Sequence, residues 1–278
     1  MTDELAPDVS SLYSAPIVLW VEDELSRDYL SQLWQDDPLI KFCIAGGKEN
    51  IRGVVHDARS QGFRHVCGLL DRDFGVSNRD RWSRNEHGIF IPDVHEIENY
   101  LLDPDALAGC ELNTEPRSAE EIGDRLRQRA DELRAWMACR KTIIEMREVT
   151  LRDFLPHPTC EEIPDIEQAK SYIEDSAWYS SLDERTQELV RPNYLSDRLK
   201  ADHDSYGSCL EGDAWIKEFS GKELLHHIRD WIYTRGSGRG IQRDSDVAKA
   251  VGRWQVENGF IPQVLSELLA ALRSRVAS

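Results

Sequence analysis

Short apolar runs and amphipathic stretches follow one another through the first hundred residues. Ile17-Val18-Leu19-Trp20-Val21 is apolar throughout and rich in β-branched side chains, as a strand covered on both faces must be, and it stops at Glu22-Asp23-Glu24. Residues 25–34 then put Leu25, Tyr29, Leu30 and Leu33 on one side of a helix. A second run, 40–45, ends at Gly46-Gly47, and residues 48–61 place Ile51, Val54, Val55 and Ala58 at helical spacing. A third run, 66–70, follows the helix stop Gly62 and closes on Asp71-Arg72-Asp73. A fourth, Ile89-Phe90-Ile91, precedes a helix start at 96–102. Strands separated by helices pair in parallel through right-handed crossovers. The pattern therefore predicts an α/β fold, a parallel sheet flanked by helices, with its active groups at the carboxyl ends of the strands.

Beyond Pro104 the pattern turns helical. Residues 118–149 read as one long helix with Ile122, Leu126, Ala130, Leu133, Met137 and Ile144 as its buried stripe. Three prolines within 156–164 predict a linker, and helices are expected again at 165–174, 182–190, 221–233, 244–251 and 261–276. The expected division is a catalytic sheet domain over 1–104 and a mainly helical region over 105–278, serving oligomerisation, partner docking or substrate binding. The stretch T-R-G-S-G-R-G at 234–240 lacks the spacing of a Walker phosphate loop and reads as a flexible loop. No ATP site is visible.

Charge and cysteine usage narrow the function classes. Across 278 residues, 34 Lys and Arg stand against 51 Asp and Glu, a net charge of −17. Such a chain does not coat nucleic acid non-specifically, because phosphate is repelled at long range. A nuclease is still compatible, since carboxylates that hold divalent metals reverse the local sign. The balance is uneven: residues 150–220 carry 7 basic against 16 acidic side chains, residues 221–278 carry 9 against 6. No apolar run approaches the roughly 18–20 residues of a membrane span, and residues 1–10 do not resemble a signal peptide. A soluble, cytoplasmic protein with no membrane partner is expected. The six cysteines are scattered without a C-x-x-C pair, and the eight histidines lack zinc-site spacing, adjacent His226 and His227 included. Zinc is not expected.

The chemistry concentrates where the apolar strands end. Glu22 follows the first, Asp71 and Asp73 the third, Glu96 and Glu98 the fourth. In a parallel sheet those ends share one edge, so carboxylates distant in sequence converge there. Several carboxylates on Mg²⁺ or Mn²⁺ are what phosphodiester hydrolysis needs, because the metal activates water and neutralises the leaving oxygen. The alternative is that these acids are turn formers and helix caps.

The order of elements, with V-L-W-V-E (18–22) and C-G-L-L-D-R-D (67–73), resembles the TOPRIM domain of topoisomerases, primases and overcoming-lysogenization-defect nucleases. Asp23 stands where that family usually has glycine. A-G-G-K-E-N-I (45–51), L-L-D-R-D-F (69–74), H-E-I-E-N-Y-L-L (95–102) and F-S-G-K-E-L-L (219–225) look like a TOPRIM-related bacterial group that sits beside AAA-type ATPases, to which the nuclease of the PARIS anti-phage system belongs. The resemblance implies Glu22 as metal ligand or general base and Asp71 and Asp73 as metal ligands. It offers Glu98 as the further acid with Glu96 as its rival. Lys48 becomes a phosphate contact or a solvated helix-start lysine, and Lys222 a group that stabilises developing negative charge. It further implies a Mg²⁺-dependent endonuclease acting on DNA or RNA, tRNA included, as the toxic effector of a defence system. Its partners would be an AAA/ABC-type ATPase encoded nearby and a second copy of itself in an active homo-oligomer. A non-catalytic TOPRIM module is the alternative. Topoisomerase action lacks room for a DNA-gripping domain with its tyrosine, and primase action lacks zinc ligands.

Overall fold

The computed structural model describes residues 13–150, 157–182, 192–212, 214–232 and 243–276. By contact the chain divides into two compact units, Met1–Ala119 with Arg229–Ser278, and Glu120–Ile228. The first unit holds the sheet. Strands β1 (Ile17–Val21), β2 (Ile40–Ile44), β3 (Val66–Leu69) and β4 (Ile89–Phe90) lie in the order β2-β1-β3-β4, and every pairing is parallel. Helix α1 (Glu24–Leu33) joins β1 to β2, and α2 (Lys48–Ser60) joins β2 to β3. The α/β reading holds. Because β2 lies on one side of β1 and β3 on the other, the chain reverses direction across the sheet between β1 and β3. The carboxyl ends of that strand pair form the crevice where open parallel sheets bind ligands.

Side-chain alternation explains why β1 is central. Val18 packs with Ile51, Val55 and Ala58 of α2, with Val66 and Leu70 in the same cluster. Ile17, Leu19 and Val21, on the opposite face, are buried as well. Gly68 of β3 lets α2 approach closely, since a Cβ there would stand 2.4 Å from Ile51 Cγ2. At the other end Asp23 caps α1, its carboxylate accepting from the Ser26 amide at 2.8 Å.

The boundary read at Pro104 is not the boundary by contact. Two helices from the end of the chain, α10 (Asp244–Asn258) and α11 (Gln263–Arg273), belong to the sheet unit. Helix α10 lies on α1, with Val247, Ala248, Ala250, Val251 and Gly252 buried. A Cβ on Gly252 would come within 3.3 Å of the Tyr29 ring. Gln255, 1% exposed, accepts from the Tyr29 hydroxyl at 2.8 Å and donates to the Tyr100 carbonyl at 3.1 Å. Arg79 grips Glu267 through two bonds of 2.7 and 2.8 Å, and Arg273 grips Asp37. Helical periodicity tells that a face is buried but not against what, so this return to the sheet was invisible in the pattern.

The second unit is helical, as expected for the region after the sheet. It contains α4 (Ala119–Glu132) from Glu120 onward, α5 (Arg134–Thr150), α6 (Ile166–Glu174), α7 (Ala177–Ser180), α8 (Pro192–Leu210) and the start of α9 (Gly221–Ile232); the short α3 (Pro104–Gly109) precedes them in the first unit. The single helix expected over 118–149 is interrupted at Leu133, whose amide is shared between the Arg129 and Ala130 carbonyls at 3.1 Å each. The break shifts the buried face, so Ile143 and Met146 are buried where Ile144 was expected. Helix α8, not expected, packs on α5. Its periodicity is broken in the sequence because buried Leu195, Leu199 and Tyr206 share their face with Asp202, which is 3% exposed. That carboxylate accepts from Lys141 Nζ at 2.8 Å, Arg198 Nε at 3.1 Å and Thr142 Oγ1 at 3.4 Å, and Arg198 also holds Glu145. The loop at 234–240 and most of the helix expected at 182–190 lie outside the described residues. Among the described residues no helix is long and apolar enough to cross a membrane.

Candidate metal centre

The site is assembled by the segments that leave the sheet at the carboxyl ends of β1, β2, β3 and β4. Pairing continues past β1 as the Ala45 and Gly46 amides donate to the Val21 and Glu22 carbonyls, both at 3.0 Å. Gly46 and Gly47 then turn with φ of +76° and +155°, values that favour glycine, and α2 starts at Lys48. From β3 the chain runs through Asp71 to Asp73, which adopts a left-handed φ of +46°. Aspartate tolerates that conformation better than most residues. The turn is pinned to the segment after β4, the Asp73 amide donating to the His95 carbonyl at 2.8 Å.

The acids divide into two linked groups. Glu22 Oε1 accepts from the Asp71 amide at 3.1 Å, and Asp71 Oδ1 accepts from the Ile97 amide at 2.9 Å. Asp73, His95 and Glu96 form the second group, each presenting a ligand atom within 4.8 Å of the others. His95 and Glu96 are 1% and 4% exposed, and the Asp73 side chain 36%. Lys48 Nζ bridges the groups, donating to the Asp71 carbonyl at 2.6 Å and to Asp73 Oδ2. A lysine in a helix's first turn opposes the helix dipole, and its pairing with Asp73 offsets that cost.

Of the residues expected from sequence, Asp73 and Glu96 come together in the three-residue group, while Glu22 is bonded to the Asp71 amide and Lys48 links Asp71 to Asp73. Of the two rival glutamates, Glu96 joins the three-residue group and Glu98 does not, although Glu98 is 2% exposed. The helix expected at 96–102 is a 3-10 helix, Ile97–Leu101, with Glu96 just before it. Asn99 Oδ1 accepts from the Glu96 amide at 2.7 Å and so fixes its backbone. Tyr100 donates to Asp93 Oδ1 at 3.2 Å; burial and Asp93 push its hydroxyl far above the usual range, so it remains a neutral phenol. Both are structural supports. Lys222 is exposed in the first turn of α9 and belongs to the second unit. His95 is the residue sequence reasoning missed. It lies inside H-E-I-E-N-Y-L-L, but the histidines show no zinc-site spacing, and while Glu96 is its neighbour in the chain, Asp73 is 22 residues away.

The donor set fits a divalent cation: two carboxylates and one imidazole, with Glu22 and Asp71 adjoining, supply hard oxygen ligands and one nitrogen. Comparison with known protein families, with curated proteins and with solved structures found no match.

Proposed function

We propose that this chain is a divalent-metal-dependent nuclease that hydrolyses phosphodiester bonds at the carboxyl edge of its sheet. The observation that carries the reading is the group Asp73, His95 and Glu96 at the carboxyl edge of the sheet, with the linked pair Glu22 and Asp71 tied to it through Lys48. Asp73, His95 and Glu96 would hold the metal, with Glu22 and Asp71 adjoining. When bound, the metal supplies an activated water and neutralises charge on the phosphate. Glu22, anchored through one oxygen to the Asp71 amide, is positioned to accept a proton at its carboxylate. Lys48 holds Asp73 in place and carries the positive charge that a phosphate group meets on approach.

The TOPRIM resemblance supports the wider reading: a toxic effector of anti-phage defence, cytoplasmic, restrained by an AAA/ABC-type ATPase and active as a homo-oligomer. The net charge of −17 suits docking to a basic surface. Incubation of the purified chain with plasmid, single-stranded DNA and total tRNA, in Mg²⁺, Mn²⁺ or EDTA, tests the activity. Cleavage in metal that EDTA stops is the expected result. Intact substrates in every metal would leave a non-catalytic binding module.

A further inference from the structure

Nitrogen in the donor set separates this site from an all-oxygen carboxylate site. The His95 ring is 1% exposed, and Phe74 meets it edge-on with centroids 4.8 Å apart and planes at 79°. Its backbone carbonyl is tied to the Asp73 amide at 2.8 Å, so imidazole and Asp73 carboxylate are held as one piece. Glu96, next in the chain, is fixed by Asn99. Backbone pairing and ring packing thus place the three ligand atoms within 4.8 Å of one another before any cation arrives.

Mg²⁺ prefers oxygen ligands, near-ideal octahedral geometry and retained waters, whereas first-row transition ions accept imidazole readily. We infer that His95 is a metal ligand and that it biases the centre toward a first-row transition ion, Mn²⁺ being the member closest to Mg²⁺ in its oxygen preference. The inference rests on the metal reading above and adds the identity of the ion. The sharper ligand requirement also explains why a histidine is buried among carboxylates at the sheet edge rather than left in solvent.

The test uses the full chain, Mn²⁺ and Mg²⁺. Calorimetric titration gives the two affinities for the wild type and for His95→Ala. Pulsed electron paramagnetic resonance of bound Mn²⁺ reads whether a nitrogen is coordinated, and ¹⁵N-histidine labelling of the unmutated protein assigns that nitrogen without a variant. Mn²⁺ binding at least about tenfold tighter than Mg²⁺, with a histidine nitrogen coupling that His95→Ala removes together with the preference, is expected; even neighbours that only orient a ligand carry effects of about 10–100-fold. Mn²⁺ bound without histidine coupling, or a preference that survives His95→Ala, overturns the inference and leaves the metal reading standing. No binding of either ion by the wild type overturns both.

Discussion

Each unit buries carboxylates, but they are balanced differently. In the helical unit Asp202 receives Lys141 and Arg198, and Arg198 also takes Glu145, so two cations meet two anions. At the sheet edge Glu22, Asp71, Asp73 and Glu96 are drawn together by backbone amides, a histidine and the ammonium of Lys48. A matched cluster is complete as it stands and acts as an internal strut. At the sheet edge the scaffold gathers carboxylates side by side, and a cation added there lowers their mutual repulsion.

The largest effect expected from this contrast is on the strut. Asp202→Ala strands Lys141 and leaves Arg198 with Glu145 alone, and urea unfolding of the full chain should show a loss of about 3 kcal/mol. That is the low end for breaking a buried pair, because Lys141 and Arg198 keep 29% and 35% of their side chains exposed. A loss of only a few tenths of a kcal/mol would remove Asp202 from the framework.

At the sheet edge, Lys48→Met should act in the opposite sense on metal binding. Removing the cation paired with Asp73 should tighten Mn²⁺ binding about tenfold, equal to about 1.4 kcal/mol of relieved repulsion. Unchanged binding would show that Lys48 does not compete with the ion, and weaker binding that it helps hold it.

The smallest effect is a pH dependence confined to the helical unit. Burial and Arg134 hold His203 below its usual range, and burial with Arg125 and Arg129 does the same to His227. Unfolding raises both pKa values, so the unfolded chain binds more protons. Their contribution is fully present above the unfolded value of about 6.5 and fades as pH falls below it. The urea midpoint should drop between pH 7.5 and 5.5, and the drop should shrink in a His203→Asn, His227→Asn variant. An equal drop in the variant would place the dependence elsewhere.

The two regions also differ in how far the sequence revealed them. The sheet was legible because Ile17–Val21 and Val66–Leu69 are unbroken apolar runs, and the acids that end them marked its functional edge. His95 was not, since its partnership with Asp73 is made by a turn whose left-handed residue has no periodic signature. Nor was the partner of Lys48, which reaches across 25 residues to Asp73. The break at Leu133 and the docking of α10 on α1 depend on packing partners, which hydrophobic periodicity does not name.

The most direct measurement compares nucleic-acid cleavage by the wild type with cleavage by Glu22→Gln and Asp71→Asn in Mn²⁺, with circular dichroism as the check that all three are folded. Both substitutions keep shape and remove charge. Each should lower the rate by at least about a hundredfold, the cost of losing one preorganised charged group. Folded variants that cleave at the wild-type rate would contradict the assignment of this sheet edge as the catalytic centre.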